Sequence, residues 1–153
     1  MLGGLLVNMP VHGLSQNLAL NKTVVTSSVS GSFIGKNAVD GSTSTRWASA
    51  ASDPQWIYVD LGSQYNITSV KITWASAYGK NYTIGVSNNA TSWTTIKTIT
   101  NNTSLTNTNS VTGTGRYVRM YGTQRGTSSG YSIYELQVNG SLSCGTPTGL
   151  TSS

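Results

Sequence analysis

Charge is what this sequence has least of. Charged side chains make up 8 % of its 153 residues, against roughly 25 % in an average soluble protein. Only four are acidic: Asp40, Asp53, Asp60 and Glu135. Glycoside hydrolysis needs two carboxylates a few ångströms apart, so this supply argues against an enzyme. The nine basic residues give a net charge of +5 but are scattered and form no run, which argues against nucleic acid or an anionic membrane as partner. One cysteine, Cys144, excludes a disulfide within the chain and a metal–thiolate site. The one histidine, His12, falls in the leading segment MLGGLLVNMPVHGLS. That segment is too short, and too interrupted by Pro10 and His12, to span a bilayer. Helical spacing of apolar residues is almost absent, and no internal repeat is visible.

What is present is Ser, Thr, Asn and Gly between short apolar runs. The runs at 56–61 (WIYVDL), 67–74 (ITSVKITW), 82–87 (YTIGVS), 93–99 (WTTIKTI), 116–121 (RYVRMY) and 131–138 (YSIYELQV) are rich in β-branched and aromatic residues. They predict strands. In ITSVKITW, Val70, Ile72 and Trp74 face one way and Ser69, Lys71 and Thr73 the other, as a half-buried strand requires. Many short strands with polar turns predict an all-β fold, a two-sheet antiparallel β-sandwich. The segment 100–115 (TNNTSLTNTNSVTGTG) is low in complexity and is expected to be a strand-poor excursion inside the domain.

Residues 1–15 look like the back half of a secretory signal peptide without its basic start, either a truncated export signal or an artificial leader. Residues 16–140 are expected to form one domain. Residues 141–153 (SLSCGTPTGLTSS) read as a linker, in which Cys144 is a free surface thiol or pairs with something beyond the chain.

The segments NLALNKTVVTSS, NAVDGSTSTRWAS, DPQWIYVDLG, WASAYGKNYTIGVS, RYVRMYG and GYSIYELQVNG, in that order and spacing, resemble a discoidin or coagulation factor 5/8 type C domain. Within that superfamily the chain is similar to the bacterial carbohydrate-binding modules of family 32, from about Asn17 to Gly140. The resemblance implies an eight-stranded jelly-roll sandwich with the ligand held by loops at one end and a structural cation, usually calcium, beside them. The tail from Cys144 is similar to the linker and opening of fibronectin type III modules, so a longer protein is expected.

In NAVDGSTSTRWAS one of the four acids stands in a hydroxyl-rich loop. Calcium takes six to eight oxygens from carboxylates, hydroxyls and carbonyls. Asp40 offers charge, Gly41 a tight turn, and Ser42 and Thr45 further oxygens. From these residues alone, a cation loop and a turn capped by its own aspartate are both open. The resemblance adds a carbonyl from Asn37 and the carboxylate of Glu135. The chain's one glutamate sits in the apolar run YSIYELQV, where an unpaired carboxylate is costly.

Sugars bind by stacking on aromatic rings and by polar side chains that bridge neighbouring hydroxyls. Arg46, next to the cation loop, is a ligand candidate; its alternative is a surface pair with Asp53 or Asp60. Tyr78 in SAYGKN, Arg125 and Tyr131 at the ends of RGTSSGY, and Asp53 complete the candidate ligand set, while Trp47 is expected to anchor the core. The similar glucan- and chitosan-binding modules carry an aromatic where this chain has Ser129, and a Glu where it has Ala75.

The expected function is non-catalytic: a secreted, monomeric carbohydrate-binding module that carries an attached glycoside hydrolase to a neutral polysaccharide. β-1,3-Glucan is the first candidate and a galactose-containing glycan the second. A cell-surface or membrane adhesion module of the discoidin type is the alternative, although no cluster of exposed apolar loop tips flanks a basic patch.

Overall fold

The computed structural model describes residues 16–143. The signal-like segment 1–15 and the fibronectin-like tail with Cys144 lie outside the described residues. The described residues form seven strands, β1 (Thr23–Thr26), β2 (Trp47–Ala48), β3 (Gln55–Trp74), β4 (Gly79–Ser87), β5 (Thr94–Ile99), β6 (Thr106–Arg125) and β7 (Ser132–Leu142), with a 3-10 turn at Gly35–Ala38. All pairings are antiparallel. Among the described residues no helix is long and apolar enough to cross a membrane.

The sandwich is built around one long ribbon. β3 and β6, each 20 residues, pair from Gln55↔Gly122 to Thr73↔Thr106, with register shifts between Asp60 and Tyr65 and between Ile67 and Ser69. Such irregularities bend a strand. On one side of the bend β1 flanks β3, and β4 followed by β5 flanks β6; on the other side β7, followed by β2, flanks β3. The two arms thus form a five-stranded and a four-stranded layer that share the ribbon. Their inward residues, Ile57, Val59, Val118 and Met120 from one arm and Val70, Ile72, Leu136 and Val138 from the other, belong to one buried core.

The seven continuous strands compare with the eight expected, and β3 and β6 each serve in both layers. The expected runs 56–61 and 67–74 are one continuous strand. The segment 100–115 is corrected: from Thr106 it is the first half of β6. It lacks an apolar alternation because amides stand at its inward positions. Asn109 is 7 % exposed, and Asn107 Oδ1 accepts from Trp74 Nε1 at 2.7 Å and from the Tyr82 hydroxyl at 2.8 Å. Asn109 Nδ2 donates to the Tyr82 hydroxyl at 3.2 Å, whose pKa burial pushes up to about 12. β7 also runs past the expected boundary at Gly140, pairing Asn66↔Ser141 and Tyr65↔Leu142.

Replacing Asn107 removes the acceptor of two inward donors. Asn107→Ala should lower unfolding free energy by about 2–3 kcal/mol, while Thr114→Ala, an exposed strand position, should stay within about 0.5 kcal/mol of the parent. Urea denaturation checks both.

Candidate functional site

One end of the sandwich is closed by three loops tied through their backbones. β2 pairs Trp47↔Ile133 and Ala48↔Ser132. Trp47 is fully buried and donates from Nε1 to the Ser28 carbonyl at 3.0 Å, which is the anchoring role expected of it. Beyond β2, the Ser49 N–H donates to the Tyr131 carbonyl at 2.8 Å, and Ser49 Oγ accepts from the Tyr131 N–H at 2.8 Å. Ser132 N–H donates to the Ala77 carbonyl at 2.8 Å, and Ala75 N–H to the Ser132 carbonyl at 2.9 Å. Gly130 is required here: a Cβ would stand 2.3 Å from the Ser49 carbonyl oxygen.

These loops and the segment around Phe33 enclose a cleft of about 290 Å³. Arg46 lies with its guanidinium carbon 4.0 Å from the centre of the Phe33 ring, a cation–π stack. It pairs with neither Asp53 nor Asp60, whose partners are Arg125 and Arg116. Ser30, Ser76 and Ser129 add hydroxyls to the cleft wall, Ala48 and Ala75 add methyls, and no Asp or Glu lines it. The Ser132 hydroxyl, also at this wall, is buried without a hydrogen-bond partner among the described residues. Phe33 and Tyr134 line the cleft and were not reached by sequence reasoning. Tyr134 is the extra residue where β7 shifts register against β3, since Thr73 pairs with Glu135 and Trp74 with Ile133; a bulge re-aims a side chain in this way. The one available signal for Phe33 was a lone aromatic among Ser and Gly.

The other four ligand candidates meet beside the cleft, and of them Tyr131 alone also lines it. Arg125 Nε donates to Asp53 Oδ2 at 3.2 Å, its Nη1 donates to the Ser128 carbonyl at 3.3 Å, and the Tyr131 hydroxyl donates to Asp53 Oδ1 at 2.5 Å. Burial, then the Asp53 carboxylate, pushes the Tyr131 hydroxyl pKa well up. Tyr131 is corrected: its side chain is fully buried and offers no face to a ligand. Tyr78 packs its half-buried ring against Gly126, where a Cβ would stand 2.3 Å from the ring. Asp53, Arg125 and Tyr131 are therefore a clamp that fixes the loop 125–131, and Tyr78 supports it.

In the acid loop, Asp40 Oδ1 accepts from the Ser42 N–H at 3.0 Å and Oδ2 from the Thr45 hydroxyl at 2.5 Å. These two bonds cap the turn. Glu135 comes to the same place from β7, its Oε2 accepting from the Gly41 N–H at 3.0 Å. It stands on the outer face of its layer, opposite Thr73, yet is only 5 % exposed. Gly41, at φ +80, supplies the left-handed turn. Burial, and then the neighbouring Asp40, pushes the Glu135 carboxyl up to about 7. For Asp40, burial acts upward, but the hydrogen bonds from Thr45 and Ser42 outweigh it and hold the group below its ordinary value. Asn37 Nδ2 donates to the Arg46 carbonyl at 3.0 Å, linking this loop to the residue that stacks in the cleft.

Residues 37–120 match the model of the F5/F8 type C family described as the NedA-like, galactose-binding domain. The chain belongs to this family, and its fold is that of β-sandwich carbohydrate-binding modules. Chitosan-binding module 1 of a chitosanase/glucanase from Paenibacillus sp. IK-5 is 48 % identical, with a TM-score of 0.79 over 82 % of this chain and 99 % of that one. Module 2 of the same enzyme, solved with chitotriose, is 43 % identical with a TM-score of 0.78 over 81 % and 100 %. The family 32 module of AlyQ, in complex with 4,5-unsaturated mannuronic acid, is 25 % identical with a TM-score of 0.68 over 82 % and 97 %. A polysaccharide lyase 8 family protein, HylA of Enterococcus faecalis, is 51 % identical over 35 residues, 23 % of this chain and 3 % of that protein.

Glu135 sets a pH dependence for the metal-free protein. Its folded pKa of about 7 lies above the ordinary 4.5, so its contribution to stability is fully present below pH 4.5 and is lost as pH rises through 7. Asp40, held low, acts outside that window. Melting temperature in metal-free buffer should fall between these pH values, and Glu135→Gln should flatten the fall; a parent curve already flat there would contradict the buried, unpaired glutamate.

Proposed function

We propose that this chain is a non-catalytic carbohydrate-binding module of a secreted protein, carrying an attached polysaccharide-degrading domain to a neutral polysaccharide. β-1,3-Glucan is the first candidate and a galactose-containing glycan the second. The observation that carries this reading is the cleft, with its Arg46–Phe33 stack, its serine hydroxyls and no carboxylate on its walls. A sugar face can lie on such a surface while the guanidinium edge and hydroxyls bond ring hydroxyls. The Paenibacillus modules carry chitosan in their names, but a polycation needs carboxylates in its site. Here Ala75 and the serines stand on the wall, and the chain carries +5.

The acids support the absence of catalysis. Asp60 takes two donor nitrogens of Arg116, at 2.8 and 2.9 Å, Asp53 holds the loop clamp, and Asp40 and Glu135 share the acid loop. No pair is left to flank a glycosidic bond at the cleft. Weak binding is sufficient for the targeting role, because tethering raises the local concentration of the attached domain.

The acid loop fits a structural calcium. Two carboxylates converge with no basic side chain as partner among the described residues, and one of them is a buried glutamate. The neighbouring Ser42 and Thr45 hydroxyls and the Asn37 carbonyl are hard oxygen donors of the kind calcium takes. No cluster of three or more His, Cys, Asp or Glu exists among the described residues, so neutral oxygens have to complete the shell. The ion's role would be to hold loop 37–45 against β7 and, through Asn37, to fix Arg46.

Native gels cast with laminarin-type glucan should retard the chain, and Arg46→Ala should remove the retardation. Affinities should fall in roughly the micromolar to millimolar range. Retardation by chitosan and by no neutral glycan would overturn the ligand class, and release of reducing sugar by the isolated chain would overturn the binding role. Chelation should lower the melting temperature and Asp40→Ala should remove that sensitivity; a melting curve indifferent to chelator would remove the ion.

A further inference from the structure

The outer face of the five-stranded layer carries a second organised surface, which shares no residue with the cleft. Inward residues Ile57, Val59, Val118 and Met120 alternate with Trp56, Tyr58, Tyr117, Arg119 and Tyr121, which therefore stand on the outside. Trp56 and Tyr58 are stacked, with ring centroids 5.7 Å apart and planes 17° apart. Tyr58 reaches Trp93 at 5.3 Å and meets Tyr117 edge-on at 5.8 Å. Each ring is half-buried by its neighbours.

Arg119 lies in the middle of this array. Its guanidinium carbon is 4.4 Å from the centre of the Trp93 ring and 4.7 Å from that of Tyr121. The strand neighbour of Arg119 on β4 is Gly85, and a Cβ built there would meet Trp93 Cε3 at 3.8 Å. The indole therefore lies within van der Waals reach of the strand, and the tight neighbour of a Cβ at Gly85 would be the Thr94 carbonyl oxygen, at 3.2 Å. Among the described residues Arg119 has no carboxylate partner, and its Nε is buried without an acceptor. The acid on this face, Asp60, is taken by Arg116, which itself lies 5.2 Å from the Tyr117 ring. The face thus presents aromatic rings that already hold one another in place and one guanidinium whose charge nothing on the face neutralises.

We propose that this face is a second glycan-binding surface, whose ligand is an acidic polysaccharide with a carboxylate on its sugar rings. The rings offer stacking area at little conformational cost, and Arg119 offers a fork that pairs with a planar carboxylate. One uncompensated cation is a poor match for a nucleic-acid backbone, whose binding scales with the number of phosphates neutralised. It does match one sugar acid lying across the array.

The test uses polygalacturonate in native affinity gels and in titration calorimetry. The parent chain should be retarded. Arg119→Gln should weaken the dissociation constant by roughly tenfold, the usual loss for a charge-assisted hydrogen bond, while keeping retention by laminarin-type glucan. Lys71→Gln, which removes the same charge from the outer face of the other layer, should change little. Arg46→Ala should lose glucan retention and keep polygalacturonate binding, so failure of this surface and failure of the cleft read out separately. Trp93→Ala, checked for folding by its melting curve, should weaken binding as Arg119→Gln does. The proposal is overturned by absence of retardation, by an equal loss in Lys71→Gln, by a loss in Arg46→Ala with Arg119→Gln unaffected, or by polythymidylate competing at the same concentration.

Discussion

The pairing of β3 with β6 is the constraint on which the remaining architecture rests. A ribbon of two 20-residue strands that bends at its register shifts gives each layer of the sandwich two strands at once, and β1, β4 and β7 then add to its edges. The bend brings Ile57 and Val59 on one arm to the same core as Val70 and Ile72 on the other. Burial of such side chains is worth about 1.5–3 kcal/mol each, so the bend is held by the core it creates. The polar half of β6 survives in this arrangement because Asn107 and Asn109 satisfy Trp74 and Tyr82 across the core.

A chain with four acids places each of them where the backbone needs fixing. Asp60 secures the ribbon at its bend, accepting from the Gly62 N–H at 2.8 Å as well as from Arg116. Asp53 ties the loop 125–131 through Arg125 and Tyr131. Asp40 and Glu135 join the loop 37–45 to β7. The cleft walls are then formed by groups with no charge other than Arg46, and binding there depends on how firmly these acids hold the loops around it. Gly130, with no room for a side chain beside Ser49, belongs to the same support.

Much of the fold was legible because half-buried strands alternate. ITSVKITW sorts into inward Val70, Ile72 and Trp74 and outward Lys71 and Thr73, as read from its residues, and YTIGVS and WTTIKTI fall within or overlap β4 and β5. The first half of β6 was not legible, because asparagine amides stand at 107 and 109 and leave Val111 as its one buried apolar side chain, too few for an alternation to show. β1 and β2 were missed for a different reason: strands of four and two residues are too short for a period to show.

For the site, composition and motif by themselves determined that acids are scarce, that Asp40 sits in a turn with oxygen donors around it, and that Arg46 follows it. Those are properties of neighbours in sequence. The resemblance brought Glu135, 94 residues from Gly41, to the same turn, and the structure gives the contact; only the tertiary structure decided that Arg46 stacks on Phe33 and leaves Asp53 to Arg125, and that the Tyr131 ring is buried in the core. It also decided that Trp93 and Tyr121 lie against the Arg119 guanidinium, with Tyr58 its neighbour on β3. Each of these contacts joins residues on different strands or loops, and the register that brings them together is set by burial of the core on the opposite side of the same strands. A sequence read along one strand shows which face a residue occupies; which residue stands beside it on the next strand is fixed only when the sheets close.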